Sequence, residues 1–208
     1  PGSAEEITDT EKVMGGEDWE LWLRALADAG LLAKGCLTFA YSYIGPDHTW
    51  AVYRDGTIGR AKANLEKTAG VLSALLADSG GKAYVSIDKA VVTRSSSVIP
   101  VVSLYIAALF KAMKQLGTHE DCQDQMLRLY RERLLVPGSI PTDEAGRIRL
   151  DDWEMRPEVQ DLATRFFNEA NEANLSTVTD FEGFRRDFLQ IHGFAVPGVD
   201  YEAEVTYL

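Results

Sequence analysis

Cysteine is nearly absent from this chain: Cys36 and Cys122 are the only two in 208 residues. They make neither a disulfide framework nor a zinc pattern, and Cys36, in an apolar run, reads as a small buried residue. Positive charge is also scarce. Twenty-one Lys and Arg against 32 Asp and Glu leave a net charge of −11, which disfavours nonspecific binding to nucleic acid or to an anionic membrane. No apolar run approaches the ~20 residues of a membrane span; the longest apolar-rich stretch, Val98 to Met113, is broken by Pro100, Ser103 and Lys111. The histidines His48, His119 and His192 show no metal-ligand spacing to one another or to a cysteine, so no metal is expected. There is no signal-peptide pattern, internal repeat or low-complexity segment, and a reducing cytoplasm is the simplest compartment. The chain begins Pro-Gly-Ser-Ala without an initiator Met, as a processed or cut piece of something longer would.

What is present is an ordinary globular composition, 46% hydrophobic and 25% charged, with enough length for one sizeable core. Ala4 to Met14 is a weak helix stopped by Gly15-Gly16. Glu17-Asp18 opens a second, with Trp19, Leu23 and Leu26 on one stripe and Gly30 at its end. Cys36 to Tyr43 is aromatic and apolar and reads as a buried strand. Ile58 to Asp78 has helical spacing, and Lys82 to Thr93 starts as a second strand. Strand, long helix, strand is a βαβ unit, which implies a parallel sheet. Arg94 to Ser97 reads as a polar loop, Ile99 to Leu116 as an apolar helix. Asp121 with Thr118 could cap a helix to about Arg133. Ile148 and Leu150 offer a short strand, Pro157 to Asn168 and Asp180 to Ile191 two helices, and Tyr201, Ala203, Val205 and Tyr207 an edge-strand alternation. The fold class is α/β, helix-rich, with at least two parallel strands. No Gly-x-Gly-x-x-Gly turn follows a first strand anywhere; if the chain belongs to a dinucleotide-binding fold, the half that grips the pyrophosphate is absent.

The chemistry concentrates between Tyr41 and Lys62. In an open parallel sheet, ligands bind beyond the carboxyl ends of the strands. Tyr41, Tyr43 and the loop to Tyr53 follow the first strand, Val91 to Ser97 follows the second, and Lys62 lies in the helix between. A phenol is a weak acid at neutral pH; a neighbouring ammonium would lower its pKa and could also hold a cofactor hydroxyl. Thr93 and Ser95 to Ser97 could donate to phosphate or amide groups. Against this stands the plainer reading: a strand tyrosine is usually core, Asp55-Gly56 an ordinary turn and Lys62 a surface lysine. Asp151-Asp152-Trp153-Glu154 could bind a cation, although a helix-start cap is the simpler reading. The serine run has no neighbouring base for nucleophilic catalysis.

Tyr53, eight intervening residues and Lys62 match the pair by which trans-2-enoyl-CoA reductases, including FabV-type enoyl-acyl-carrier-protein reductases, are recognised. Met14-Gly-Gly-Glu-Asp-Trp19, Tyr41-Ser-Tyr-Ile-Gly-Pro46, Asp55-Gly-Thr-Ile-Gly59, the Lys82-Ala-Tyr-Val-Ser86 to Pro100 segment, Gly146 to Met155 and Gly198 to Ala203 also resemble that family. The resemblance runs in order along essentially the whole chain. It implies a single unit over residues 1–208: the helix-rich, catalytic C-terminal half of a Rossmann-like parallel-sheet fold related to short-chain dehydrogenases. It implies NADH-dependent reduction of the 2,3 double bond of enoyl-CoA or enoyl-acyl-carrier protein in fatty acid synthesis. By the family's pattern Tyr53 is the proton donor or enolate stabiliser, Lys62 binds the cofactor, Tyr43 contacts substrate, and Val91, Val92 and Thr93 line the nicotinamide. Tyr41 would be packing, and Val98, Ile99 and Val102 would cover the acyl chain. The implied partner is an N-terminal half of the same enzyme, monomeric when complete; without it the chain would be inactive. The rival expectations are a catalytically incomplete acyl-binding or interaction module, and a carbonyl-reducing relative of short-chain dehydrogenases.

Overall fold

The computed structural model describes residues 2–204. In chain order these form α1 (Ala4–Met14), α2 (Glu17–Asp28), β1 (Leu37–Ser42), α3 (Asp47–Tyr53), α4 (Thr57–Leu76), β2 (Lys82–Ile87), α5 (Arg94–Ser97), α6 (Pro100–Gln115), α7 (Cys122–Arg128), β3 (Ile148–Arg149), α8 (Pro157–Glu169), α9 (Leu175–Val178) and α10 (Phe181–Gln190). The described residues form two compact units, one from residues 2–90 and 120–160, the other from residues 91–119 and 161–204.

The first unit is built on a three-stranded parallel sheet in the order β1-β2-β3. Leu37 pairs with Lys82 and Ser42 with Ile87, so β1 and β2 end together. The chain therefore leaves both strands from one edge of the sheet. Successive side chains of a strand point to opposite faces, and β2 shows it. Ala83 packs with Leu23 and Leu72, and Val85 and Ile87 with Leu65, under α2 and α4. Tyr84 packs with Leu129, Ile148 and Leu150 on the other face, below α7 and the π-helical turn Leu129–Leu134 that continues it. Helices on both faces of a parallel sheet is the layering expected when βαβ crossovers cover it.

β1 corrects the expectation of a buried strand. It lies at the sheet edge, and Tyr41 is 55% exposed, so Tyr41 is not a packing residue among the described contacts. The aromatic content that suggested burial serves one face only. The α4 crossover is as expected, with Gly59 in its first turn: a Cβ there would lie 2.0 Å from the carbonyl oxygen of Arg54. Only glycine lets the helix start that close to the preceding turn.

In the second unit α6 is apolar nearly all round, and Tyr105, Ala108 and Leu109 are fully buried. The amide of Asp180 donates to the carbonyl of Ala107, and Asp180 pairs with Lys114, fixing the start of α10 against α6. The polar run 94–97 is a short helix rather than a loop. The Thr93 hydroxyl accepts from the Ser96 amide, and the Ser96 hydroxyl accepts from the Thr93 amide. This reciprocal cap satisfies the donors a loop would have exposed. The expected edge strand in the tail is also corrected: Tyr201 and Ala203 lie in turns, where the Tyr201 hydroxyl bonds Gly193 and Val196. Val205 and Tyr207 lie outside the described residues.

Candidate active site

Beyond Ser42 the chain turns sharply. Gly45 takes φ +67°, and a Cβ on it would meet the Tyr43 hydroxyl at 2.4 Å. Pro46 then opens α3. The Trp50 indole donates back to the Gly45 carbonyl at 3.0 Å and the Thr49 hydroxyl to the Pro46 carbonyl at 2.8 Å, so side chains satisfy the groups that the tight turn frees. The stretch to Tyr53 is thus a helix rather than the expected loop, and Tyr53 occupies its last turn. Asp55-Gly56 reverses the chain into α4, which returns Lys62 toward the end of β1.

These turns bring three of the expected residues together. The rings of Tyr43 and Tyr53 meet edge to face, with centroids 5.0 Å apart at 87°. The Lys62 ammonium lies 5.5 Å from the centre of the Tyr53 ring and donates to the Ser42 hydroxyl at 3.1 Å. That single acceptor leaves two of its three N–H donors without a partner among the described residues, and the Tyr53 hydroxyl has none there either. Tyr43 is anchored differently. Its hydroxyl donates to Glu154 Oε1 at 2.9 Å, while Glu154 Oε2 accepts the Ala90 amide at 2.7 Å. Glu154 is fully buried.

The electrostatics follow from desolvation. Burial pulls the Lys62 ammonium down to about 8, opposed by the charges of Glu66 and Asp88. Burial pushes Asp88 up to about 6, against a hydrogen bond from Ser86. Tyr53 is raised by burial as well. The expectation that a neighbouring ammonium would lower the phenol is therefore overturned: Lys62 sits against the ring, and loss of water dominates. Tyr53 consequently stays a proton-bearing donor at neutral pH.

Val91, Val92 and Thr93 follow directly from Ala90 and begin the second unit. Val92 is buried, and Thr93 serves as the cap of α5. Val102 is core, 1% exposed, whereas Val98 is 77% exposed. The acidic run 151–154 meets arginines rather than a cation site: Asp151 pairs with Arg149, and Asp152 with Arg128 and Arg133. Among the described residues, no three His, Cys, Asp or Glu side chains could together hold a metal ion. Sequence reasoning missed Ser42, Asp88 and Glu154. Asp88 carried a usable signal, being the first residue past the carboxyl end of β2. Glu154 carried none, since 111 residues separate it from Tyr43.

Residues 1–135 match the family model for the trans-2-enoyl-CoA reductase catalytic region. The chain belongs to the trans-2-enoyl-CoA reductase family. Residues 142–205 match a second model described as an enoyl reductase FAD binding domain. An enoyl-[acyl-carrier-protein] reductase [NADH] of Cytophaga hutchinsonii is 52% identical over 206 residues, and a trans-2-enoyl-CoA reductase [NADH] of Ruminiclostridium cellulolyticum is 52% identical over 205. Each match covers 99% of this chain and 52% of the relative. The crystal structure of Treponema denticola trans-2-enoyl-CoA reductase in complex with NAD superposes with a TM-score of 0.93 at 51% identity, over 99% of this chain and 51% of that one. The chain thus spans about half the length of the reductases it matches.

Proposed function

We propose that this chain is the catalytic C-terminal half of an NADH-dependent trans-2-enoyl thioester reductase. The observation that carries it is the convergence, at the carboxyl end of the sheet, of a proton-bearing Tyr53 hydroxyl and a largely buried Lys62 ammonium with one of its three donors satisfied among the described residues. The N-terminal half of the enzyme would supply the glycine-rich turn and the remaining strands of a Rossmann-like sheet related to short-chain dehydrogenases. It would also cover the exposed β1 edge. Alone, this half would be inactive; the complete protein would act as a monomer in the cytoplasm, in fatty acid synthesis.

On this reading Lys62, with two donors to offer, would hold a ribose of the dinucleotide, and by the family's pattern Val91, Val92 and Thr93 would flank the nicotinamide. When bound, NADH supplies the hydride that reaches C3 of the enoyl thioester. The double-bond electrons move onto the thioester oxygen as the C3–H bond forms. Tyr53 would direct its O–H at that oxygen, stabilising the enolate by a hydrogen bond, and would then release that same proton to C2, leaving a phenolate that regains a proton from solvent. Lys62 orients the cofactor and keeps positive charge beside a site that gains negative charge. Tyr43 forms the wall against which Tyr53 packs and contacts the substrate. A flavin finds no comparable cradle. Among the described residues of 142–204, the one strand is two residues long and no glycine-rich turn joins it to a helix.

The test is Tyr53→Phe in the protein completed by its N-terminal half, assayed with crotonyl-CoA. Turnover should fall about 100-fold or more, as expected on losing a general acid, with NADH affinity changed less than about twofold. Undiminished turnover would remove Tyr53 from the mechanism. Lys62→Ala should weaken NADH binding as well as turnover, read by fluorescence titration; unchanged affinity would rule out the cofactor contact.

A further inference from the structure

Glu154 belongs to the run 151–154 whose other acids are taken by arginines. Its own carboxylate instead reaches back to the site. One oxygen receives the Tyr43 hydroxyl and the other the Ala90 amide, so a single buried group ties the exits of β1 and β2 together. The α-carbonyl side of the same turn is braced as well: the Lys89 amide donates to Gln125 Oε1 at 2.8 Å, and the Lys89 ammonium to the Ala90 carbonyl at 2.9 Å. The Gln160 amide holds the Glu154 backbone carbonyl at 2.8 Å.

A carboxylate has no proton to give, and a phenol has one. Tyr43 donates its proton to Glu154. Toward the site it can then only accept a hydrogen bond. Tyr53, packed edge to face against it, becomes the one phenol of the pair with a proton to deliver. We propose that Glu154 is a positioning residue that fixes the direction of the Tyr43 hydroxyl proton, leaving Tyr43 an acceptor and Tyr53 the donor in the site. This rests on the reductase reading for its kinetic consequence and stands apart from it for its structural one.

Glu154→Gln tests it with little change of shape. The amide oxygen must face the Ala90 N–H, because the alternative sets two donors against each other. The amide nitrogen then donates to Tyr43, whose proton is turned away from residue 154 and toward the site. In the protein completed by its N-terminal half, turnover of crotonyl-CoA should fall about tenfold, with NADH affinity unchanged. In a Tyr43→Phe background the same substitution should change turnover less than about twofold, since the phenol through which it acts is gone. Glu154→Asp, which keeps an acceptor-only group, should lose less than Glu154→Gln. Independently of activity, the ring carbon bearing the Tyr43 hydroxyl, followed by NMR with labelled tyrosine and assigned by its disappearance in Tyr43→Phe, should shift in Glu154→Gln. An equal kinetic loss with and without Tyr43, an unmoved Tyr43 resonance, or failure of both Glu154 variants to fold would each overturn the proposal. A wild-type protein that reduces no enoyl thioester would overturn the reductase reading, while the NMR result would still decide the role of Glu154.

Discussion

Replacing Lys62 by methionine should make the protein more stable at neutral pH. The ammonium titrates at about 8 in the folded chain against 10.5 for an unburied lysine, chiefly because burial removes its water. Between those two values the unfolded chain binds more protons than the folded one, so stability rises with pH across that window. The penalty is absent above about 10.5, grows as pH falls toward about 8, and is complete below it. At about 1.4 kcal/mol for each pH unit the penalty reaches at most about 3.5 kcal/mol. Methionine removes the charge and keeps most of the stem, at the loss of the hydrogen bond to Ser42, worth about 1 kcal/mol. Lys62→Met should therefore gain up to about 2.5 kcal/mol at pH 7 and lose about 1 kcal/mol above pH ~10.5, while abolishing reduction. Urea midpoints of both proteins at neutral and alkaline pH measure it. A variant less stable at pH 7, or a gap independent of pH, would refute the claim that Lys62 is held charged at a cost.

Asp88→Asn should also stabilise, with the opposite pH pattern. The raised Asp88 value, about 6, favours folding below the ordinary 3.8, and that stability is lost as pH rises through about 6. The variant should thus gain up to about 3 kcal/mol at pH 7 and nothing near pH 3, read from denaturation midpoints across that range. Gly45→Ala should cost about 1–2 kcal/mol for the left-handed backbone alone. Because its Cβ would displace the Tyr43 hydroxyl, turnover should fall with it; thermal unfolding and crotonyl-CoA kinetics report both effects.

The sequence made the frame of the first unit legible because local chemistry determined it. The Gly15-Gly16 break, the apolar period of Thr57–Leu76 and the apolar run at β2 each specify their element, and the βαβ order specifies parallel strands. Three features escaped. The exposure of Tyr41 depends on β1 being an edge strand, which no property of its own residues encodes. The helices at 47–53 and 94–97 are too short for a periodic signal and rest on caps and turns made after folding, such as the Thr93–Ser96 exchange. The pairing of Glu154 with Tyr43 is a purely tertiary contact. The Tyr53–Lys62 spacing was legible, but the sign of the shift at Tyr53 was not, since it depends on how much water the fold removes.

That sign bears on how the site works. Lys62 and Asp88 are both displaced toward their neutral forms, and Tyr53 is held in its own. Groups that partner one another as ions move the other way, as Asp143 does under Arg147 and as Asp180 does under Lys114. The interaction that would stabilise the Lys62 charge is thus not supplied by Tyr53. Asp88 supplies part of it, but its own carboxylate is held back by burial and by the nearby acids Asp151 and Glu120. A polar ligand that brings acceptors to Lys62 and developing negative charge to the Tyr53 hydroxyl reverses two of these penalties together. The same desolvation that weakens the free site would therefore strengthen its hold on the enolate and the ribose of the proposed reaction.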